Sequence, residues 1–458
     1  MKVSKILLMI TLTLVLTACP KQAGELVGAA SSGPKKDIAP HGMVLVPGRA
    51  FLMGPNEESV LSTQEDVNVM VTVHPFWMDE TEITNSEYRQ FVNWVRDSLA
   101  YVKLIGDDGT ESEYAIHPKY EYDDMPVRID WTKKIPWEKR LVPDDPVSEA
   151  LAPLFYEGGF GTLRTDRLHY DYSWINIEEA VGVSHRFNVT TGRYPEGATV
   201  RVDSFWIEED GGIRSATITR PLREPRDLRT NAIICVYPDT TVWARDFEYS
   251  YNDPLLYGYF SMPGYSEYPV VGVTWEQAHA FCHWRTHMLR NHGRQLANQY
   301  RLPTEAEWEC AARGGLRAAK YPWGDRYARC AEGCYQANFK PYRGAYMDEG
   351  GTITMQVKQF EPNNFGLYDM AGNVAEWTAS AYTNNANSYV HDMNPEFSHV
   401  ARKDDPDILK RKIVKGGSWK DVSYYLQCGV RTYEYQYEAR SYIGFRCVRS
   451  AIVGDELF

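Results

Sequence analysis

The sequence predicts an irregular α+β fold, in which short helices and short strands are joined by long loops. The chain of 458 residues contains 34 glycines and 31 tyrosines, a composition that favours a loop-rich fold over a helical bundle. Several helix starts carry a capping box, in which a threonine and a Glu or Gln three residues later satisfy each other's backbone N–H groups. Apolar runs of strand length lie between these helix starts. Both types of element are therefore expected in one chain.

The bulk composition limits the size of the domains and the class of partner. A chain of 458 residues is long enough for about three average domains, although single large folds are common. Hydrophobic residues make up 43% of the chain and aromatic residues 13%, so it can fill a sizeable core. The formal net charge is −12, which argues against nucleic acid as a partner, because phosphate recognition needs a basic surface.

Residues 1–18 have the pattern of a lipoprotein signal peptide. Two lysines precede an apolar region, residues 6–16, that is too short to span a bilayer, which takes about 20 residues. Leu16-Thr-Ala-Cys19 has the form of a bacterial lipobox, so we expect cleavage before Cys19 and a lipid on its thiol. An ordinary signal peptide beside an incidental cysteine is the alternative. Residues 19–40 are small and polar and are interpreted as a lipidated flexible tether.

Globular sequence is predicted to begin at residue 41 with short strands. Met43-Val-Leu-Val and Phe51-Leu-Met are interpreted as two strands paired through a turn, and residues 76–83 as a further strand. Thr84 is then an N-cap, and Glu87 completes a capping box. The helix that follows has apolar residues at i, i+3, i+4 and i+7, which predicts one buried face. This face consists of Tyr88, Phe91, Val92 and Val95.

Two more helices carry the same start signal. Thr274 and Gln277 have capping-box spacing, as do Thr304 and Glu307. Tyr300 to Leu302 is expected to be extended, because Leu302 precedes a proline. The last of these helices should end at Gly314-Gly315, a left-handed C-cap signal.

Residues 97–265 are interpreted as one large ordered insertion. The segment is too hydrophobic to be disordered. Ala198-Thr-Val-Arg-Val-Asp and Asn231-Ala-Ile-Ile-Cys-Val-Tyr have strand-like patterns. Interfaces are enriched in aromatic and arginine side chains, so we expect part of the insertion to contact a partner. The alternative is that its tryptophans only pack the insertion's own core. Its tryptophans are Trp131, Trp137, Trp174, Trp206 and Trp243.

Three sequence motifs resemble those of the formylglycine-generating enzyme (sulfatase-modifying factor) family. They are Arg301-Leu-Pro-Thr-Glu-Ala-Glu-Trp-Glu, Tyr321-Pro-Trp-Gly and Gly366-Leu-Tyr-Asp-Met-Ala-Gly-Asn-Val-Ala-Glu-Trp. The resemblance implies an irregular α+β domain of the C-type-lectin-like kind, built from residues 41–96 and 266–450. Residues 451–458 would form a C-terminal tail.

The family's catalytic site is expected to be incomplete in this chain. Active members bind copper(I) through two cysteines five residues apart, after a Gly-Gly-Ser-aromatic turn, and thiolates are the ligands that copper(I) selects. That motif matches Gly416-Gly-Ser-Trp419 and assigns the two positions to Asp421 and Leu426. Leu426 has no donor atom, and Asp421 offers only a hard oxygen ligand. Cys428 is the nearest thiol and would be alone, so we expect no catalysis and interpret the chain as a pseudoenzyme.

The cysteines other than Cys19 have a structural interpretation. Seven remain, so in an oxidising compartment at least one stays outside a disulfide. The resemblance implies a disulfide between Cys282 and Cys447. The remaining candidates are Cys310 with Cys428, which are displaced from the family pattern, and Cys330 with Cys334, which would leave Cys235 unpaired.

Other polar residues could hold a metal. His279, His283 and His287 recur at i+4 spacing, as in a helical metal site, but a solvated helix face is the preferred interpretation. Asn338, Asp348 and Asn373 are oxygen donors near the family's calcium site, so a structural calcium ion is one interpretation and turn chemistry the other. The acidic pairs are interpreted as exposed loops. They are Asp123-Asp124, Asp144-Asp145 and Asp404-Asp405.

As a whole, the chain resembles the GldK/PorK family of gliding-motility and type IX secretion lipoproteins. The resemblance rests on Gly24-Glu-Leu-Val-Gly, Val236-Tyr-Pro-Asp-Thr-Thr-Val-Trp-Ala-Arg-Asp-Phe and Tyr268-Pro-Val-Val-Gly-Val-Thr-Trp. It implies a lipid-anchored periplasmic ring on the outer membrane, built with a soluble partner of the GldN/PorN type and attached to an outer-membrane protein. A copper-dependent oxidase of sulfatase cysteines and a lectin-like surface binder are the alternatives.

Overall fold

The structure, a computed structural model, describes most of the chain between residues 39 and 451. Several predicted features lie outside the described residues, namely the signal peptide with Cys19, Asp123-Asp124, Asp348 and the tail beyond 451. Within the described part, no helix combines the length and apolar character that crossing a bilayer requires. The described ranges are 39–55, 68–106, 112–116, 128–158, 161–208, 211–246, 258–291, 298–341, 350–384 and 391–451.

Along the described residues, strands or runs of strands are separated by one or two α-helices. The α-helices are α1 (Asn85–Ile105), α2 (Pro146–Leu151), α3 (Ile177–Ala180), α4 (Val242–Arg245), α5 (Trp275–Asn291) and α6 (Glu305–Ala312). The strands are β1 (Met43–Val46), β2 (Arg49–Met53), β3 (Val69–Val73), β4 (Phe76–Asp79), β5 (Ala115–Ile116), β6 (Arg128–Ile129), β7 (His169–Ile175), β8 (Thr199–Ile207), β9 (Ile213–Pro221), β10 (Arg229–Cys235), β11 (Tyr300–Arg301), β12 (Ala375–Ala381), β13 (Arg411–Lys415), β14 (Thr432–Tyr435), β15 (Ile443–Gly444) and β16 (Val448–Ser450).

All three predicted capping boxes are confirmed. Before α1, Thr84 caps the Glu87 backbone N–H and its own N–H donates to the Glu87 carboxylate. The same reciprocal pair, between Thr304 and Glu307, begins α6. Before α5, the Thr274 N–H donates to the side-chain oxygen of Gln277 at 2.8 Å, and the Gln277 N–H donates back at 3.1 Å. These boxes set the starts of the long helices.

Two four-stranded sheets form the framework of the core. The first has the order β1-β4-β16-β11 and is antiparallel throughout, so the C-terminal strand β16 lies between strands from the middle and the beginning of the chain. The second has the order β14-β13-β12-β15, with β12 and β15 parallel and the other pairs antiparallel. The turn that follows β13 carries the predicted site.

The predicted pairing of the first two strands is wrong. β1 pairs with β4, with Met43 opposite Asp79. β2 pairs instead with β3, with Arg49 opposite Val73. Each of the two strands pairs with a strand further along the chain, and the two pairs belong to different sheets. The local sequence pattern carries no information about such pairing.

The largest hydrophobic cluster joins α1 and α5. Tyr88 stacks on Phe281 with ring centroids 5.5 Å apart. Phe91 lies 5.3 Å from Trp284, and Phe445 meets Phe281 edge to face at 5.4 Å. The predicted apolar face of α1 is therefore buried, as expected from its spacing, and each large aromatic ring in such a core contributes roughly 3–5 kcal/mol relative to alanine.

A two-stranded ribbon of the insertion, β7 with β10, packs on α5 and overturns the prediction of a solvated histidine face. The Tyr172 hydroxyl lies 3.1 Å from Nδ1 of His279, and the Trp174 ring lies 5.2 Å from that of His279. Burial lowers the pKa of His283 to about 4. His287, one turn further along, is exposed. The face is covered because a distant part of the chain supplies the aromatic side chains, and in the described ranges no cluster of three metal-binding groups occurs.

The insertion also contacts residues 399–405 of the core through charged side chains. These contacts fix the position of the loop against strand β8 and helix α3. They join Arg201 to Asp404 at 2.9 Å, His399 to Glu178 at 3.1 Å, and Arg402 to Glu179.

Candidate functional site

The Gly-Gly-Ser turn after β13 is tightly packed and requires its glycines. Gly416 and Gly417 have φ values of +92° and +64°. A Cβ on Gly416 would lie 3.0 Å from the Trp308 ring, and one on Gly417 would lie 2.9 Å from the Tyr425 backbone. A side chain at either position would be strained in conformation and short of space. The turn therefore holds the segment after it in one place.

Neither candidate copper position provides a thiolate. The Asp421 carboxylate accepts a hydrogen bond of 2.6 Å from the Ser418 hydroxyl. Leu426 is fully buried and packs in a cluster with Tyr321 and Phe339. One position is thus a carboxylate used within its own turn, and the other is part of the hydrophobic core.

Cys428, the thiol closest in sequence to these positions, is fully buried. Burial raises the pKa of Cys428 to about 12, although the Arg313 guanidinium lowers it in part. Cys310 belongs to the same buried cluster, and burial raises its pKa to about 12 as well. Burial thus disfavours the thiolate form, which copper(I) selects, at both residues.

The other cysteine pairs differ in how close their members lie. The sulfur atoms of Cys282 and Cys447 are 3.4 Å apart in the core, between α5 and the residue before β16. Cys330 and Cys334 share a turn in which the Cys330 N–H donates to the Cys334 carbonyl at 2.8 Å. The disulfides remain predictions. Cys235 is half-buried, and its thiol donates to the Thr165 carbonyl at 3.3 Å.

The two described members of the calcium hypothesis use their side-chain oxygens in loop contacts. Oδ1 of Asn338 accepts from the Gly351 N–H at 3.0 Å, and Oδ1 of Asn373 accepts from the Met355 N–H at 2.9 Å. These bonds join positions 13 and 18 residues apart, so both side chains hold separate loops together and neither closes a local turn. With Asp348 outside the described residues, a calcium site stays a prediction.

A buried charge cluster beside the turn was not predicted. Glu376 and Arg446 form an ion pair of 2.6 Å in which both side chains are completely buried. Burial raises the pKa of Glu82 well above its usual value, and the Asp369 carboxylate raises it further. Burial also raises the pKa of Asp369 to about 6. The sequence feature that could have predicted this cluster is the presence of acidic residues within the otherwise apolar segments 76–83 and 366–377.

The two described acidic pairs lie in loops, as predicted, with specific partners. Asp145 is the N-cap of α2 and accepts from the Val147 N–H at 2.9 Å. Asp404 accepts from Arg201 at 2.9 Å and from the Thr217 hydroxyl at 2.8 Å. Neither pair has the buried, mutually close carboxylates that acid–base catalysis uses.

The insertion exposes a run of large apolar side chains, here called the apolar ridge, residues 175–189. Val183 is 92% exposed and Val189 is 86% exposed, and Ile177 and Val181 are also mostly in solvent. Of the predicted interface tryptophans, Trp243 is buried, whereas Trp131 and Trp206 are close to half exposed. Several exposed apolar side chains close together in one segment mark a candidate interaction surface.

Taken together, the capped helices, the antiparallel sheet, the mixed sheet and the glycine turn define an irregular α+β domain whose two candidate copper positions lack thiolates. A family model described as "Sulfatase-modifying factor enzyme 1-like domain" matches residues 29–139 and 252–451, which is more than half of the chain. The chain belongs to this family. The unmatched residues 140–251 fall inside the segment predicted as an insertion, whose own boundaries, 97–265, stay a prediction.

Curated relatives include both inactive and active members of the family. The chain is 35% identical over 191 residues to "Inactive C-alpha-formylglycine-generating enzyme 2" of Mus musculus, covering 40% of this chain and 50% of the relative. It is 35% identical over 190 residues to "Formylglycine-generating enzyme" of Thermomonospora curvata, covering 39% of this chain and 55% of the relative. The chain thus spans about half the length of the curated relatives it matches.

Two solved structures align over most of the chain at low similarity. "Structure of PvdO from Pseudomonas aeruginosa" aligns with 17% identity and a TM-score of 0.43, covering 89% of this chain and 94% of that one. "Crystal Structure of CarF" aligns with 17% identity and a TM-score of 0.37, covering 90% and 99%.

Proposed function

We propose that this chain is a non-catalytic, lipid-anchored assembly protein of the GldK/PorK type. In this proposal Cys19 anchors it to the outer membrane on the periplasmic side. The folded domain joins copies of itself and a soluble partner of the GldN/PorN type into a ring. The ring belongs to the type IX protein secretion and gliding-motility machinery and attaches to an outer-membrane protein. The finer features of the fold, C-type-lectin-like character and an insertion specific to this group, belong to the same proposal.

The observation that carries the non-catalytic part is the state of the two copper positions. Leu426 is buried in the core and Asp421 is bonded to Ser418. A register shift to Cys428 would supply one thiol with a pKa of about 12, raised by burial. Two thiolates in reach of one ion are what copper(I) chemistry needs, and this segment does not offer them.

The apolar ridge supports an assembly role. It lies on the segment between the two parts of the chain that the family model matches, so it belongs to what distinguishes this chain within its family. Val183 and Val189 are almost fully in solvent, and burial of each in an interface would contribute on the order of 1.5–3 kcal/mol. Residues so exposed contribute little to the stability of the monomer, which leaves association as the physical use of their apolar surface.

A substitution test separates assembly from folding. The double variant Val183→Glu with Val189→Glu would be expressed with the soluble ring partner, and ring formation would be followed by co-purification and electron microscopy. Assembly should be lost, because two charges would be buried unpaired at the interface. The melting temperature should stay nearly unchanged, since exposed substitutions shift stability by only about 0.5 kcal/mol.

The matched control is Met70→Glu, at an apolar residue of strand β3 in the core that is 56% exposed. Assembly should survive this change. If the control abolishes rings and the ridge variant does not, the interface lies on the core. If neither variant nor the native chain joins the partner, the ring proposal is wrong.

A further inference from the structure

A cavity of about 580 Å³ lies between the insertion and the core. Strands β7, β8, β9 and β10 form one side, and the start of α5 with the loops around residues 400–410 and 436 forms the other. Cavities that bind small molecules fall in this size range and combine apolar walls with a few placed polar groups. The cavity is well separated in sequence from the Gly-Gly-Ser turn and shares no lining residue with it.

One wall of the cavity is a continuous aromatic surface. Trp275 stacks on His279 with ring centroids 5.0 Å apart and an interplanar angle of 10°. Trp174 meets His279 edge to face at 5.2 Å, and Tyr172 stacks on Trp174 at 5.2 Å. The insertion and α5 contribute side chains to the same surface, so the wall exists only where the two parts meet.

Hydrogen-bond acceptors with remaining capacity lie beside this wall. Gln436 is mostly buried, and its Nε2 donates to Glu276 at 3.1 Å. Its side-chain oxygen Oε1 is buried without a hydrogen-bond partner among the described residues. A buried amide oxygen without a partner costs about 1–3 kcal/mol, but this atom is itself covered, so the Glu276 carboxylate is the acceptor that a ligand in the cavity would use.

The charges around the cavity disfavour a strongly charged ligand of either sign. The Lys412 ammonium already lies 3.9 Å from the centroid of the Trp275 ring, which opposes a second cation at the aromatic wall. Carboxylates at Asp203 and Glu276 oppose an anion at the same depth. The rim carries cationic side chains, at Arg201, Arg402, Lys403 and Lys410.

We propose that this cavity binds a neutral saccharide of one or two sugar rings. The apolar face of a pyranose would pack on the half-buried Trp174 ring, since Trp275 is buried with its ring covered by His279 and Lys412. Its hydroxyls would donate to the Glu276 and Asp203 carboxylates, and they would accept from Lys403 at the rim without bringing a net charge. A polyhydroxylated ring thus fits the aromatic wall and the mixed charges of the site. The site is independent of the proposed ring assembly.

The test uses the purified full chain and two disaccharides, cellobiose and diacetylchitobiose, with saturation-transfer NMR and calorimetry as readouts. At least one disaccharide should bind, with a dissociation constant in the millimolar range or below. Trp174→Ala should weaken it on the order of tenfold, because a stacking surface is removed. Ser215→Phe provides a second variant, which fills the cavity from β9 without removing an aromatic side chain.

The matched control is Trp206→Ala, a half-exposed tryptophan of β8 that does not line the cavity. Binding should be unchanged in this variant. The proposal is overturned if neither disaccharide binds the native chain, if both cavity variants bind with native affinity, or if choline or inorganic phosphate occupies the site in their place.

Discussion

Arg446 and Glu376 form a completely buried, bidentate ion pair in the core. Nη2 of Arg446 donates to Oε1 of Glu376 at 2.6 Å, and Nε donates to Oε2 at 2.8 Å. The Trp308 indole N–H donates to the same carboxylate at 2.7 Å. The pair and its indole donor therefore connect β12 and the residues just before β16 to α6. A buried charge of this kind depends on every one of its partners.

Arg446→Met should be strongly destabilising, since it leaves the Glu376 carboxylate buried and without its counter-charge. The expected loss is about 3–5 kcal/mol of unfolding free energy. Urea denaturation followed by fluorescence would measure it. Arg226→Met, which breaks an exposed pair with Glu224, is the control and should cost less than about 1 kcal/mol. Equal losses of unfolding free energy in the two variants would show that the buried pair stabilises the fold no more than the exposed pair does.

Features set by neighbouring residues were predictable from the sequence, and features set by distant residues were not. The capping boxes at Thr84, Thr274 and Thr304 were predicted correctly because both partners lie within four residues. The pairing of β1 with β2 was predicted wrongly, because β1 pairs with β4 and β2 pairs with β3, and both partners lie further along the chain.

The same distinction explains the site. The absence of thiolates at Asp421 and Leu426 could be inferred from the aligned turn alone. The buried pair Glu376–Arg446 could not, because its members are 70 residues apart and meet only in the folded core. His279 is covered by β7, a strand more than 100 residues earlier in the chain, so the helical spacing alone predicted a solvent-exposed side chain.

His283 should make the protein less stable in mild acid. Burial lowers its folded-state pKa to about 4, below the usual 6.5, and the Arg290 charge lowers it further. The unfolded chain therefore binds the proton first as the pH falls. The contribution of neutral His283 is fully present above about pH 6.5, declines as the pH falls towards about 4, and then levels off.

His283→Gln should remove that dependence. The stability difference between native and variant protein should shift by about 2 kcal/mol between pH 7.5 and pH 5, in favour of the variant at the lower pH. Thermal or urea unfolding at a series of pH values would measure the shift. His287→Gln, on the exposed side of α5, is the control and should show a much smaller change. A flat difference for His283→Gln would mean that the imidazole has nearly the same pKa in the folded and unfolded chain.

Cys19→Ala should release the protein from the outer membrane. The tether that follows contains no other apolar anchor, and one lipidated cysteine supplies the attachment in this proposal. Fractionation of cells and immunoblotting of soluble and membrane fractions would measure the change, with Cys334→Ala as a cysteine control. An unlipidated Cys19→Ala protein that stays with the membrane in high salt would show that protein contacts, rather than the lipid, hold it there.

The native chain should bind no copper(I) tightly and should convert no sulfatase-type cysteine peptide to an aldehyde. The reason is that Leu426 is a core residue, Asp421 is bonded to Ser418, and burial raises the pKa of Cys428 to about 12. Competition with a chromogenic copper(I) chelator, beside an active formylglycine-generating enzyme as the positive control, would measure the affinity. Stoichiometric copper that is lost in Cys428→Ser but kept in Cys235→Ser would overturn the non-catalytic assignment, because it would place a thiolate site at the segment after the glycine turn.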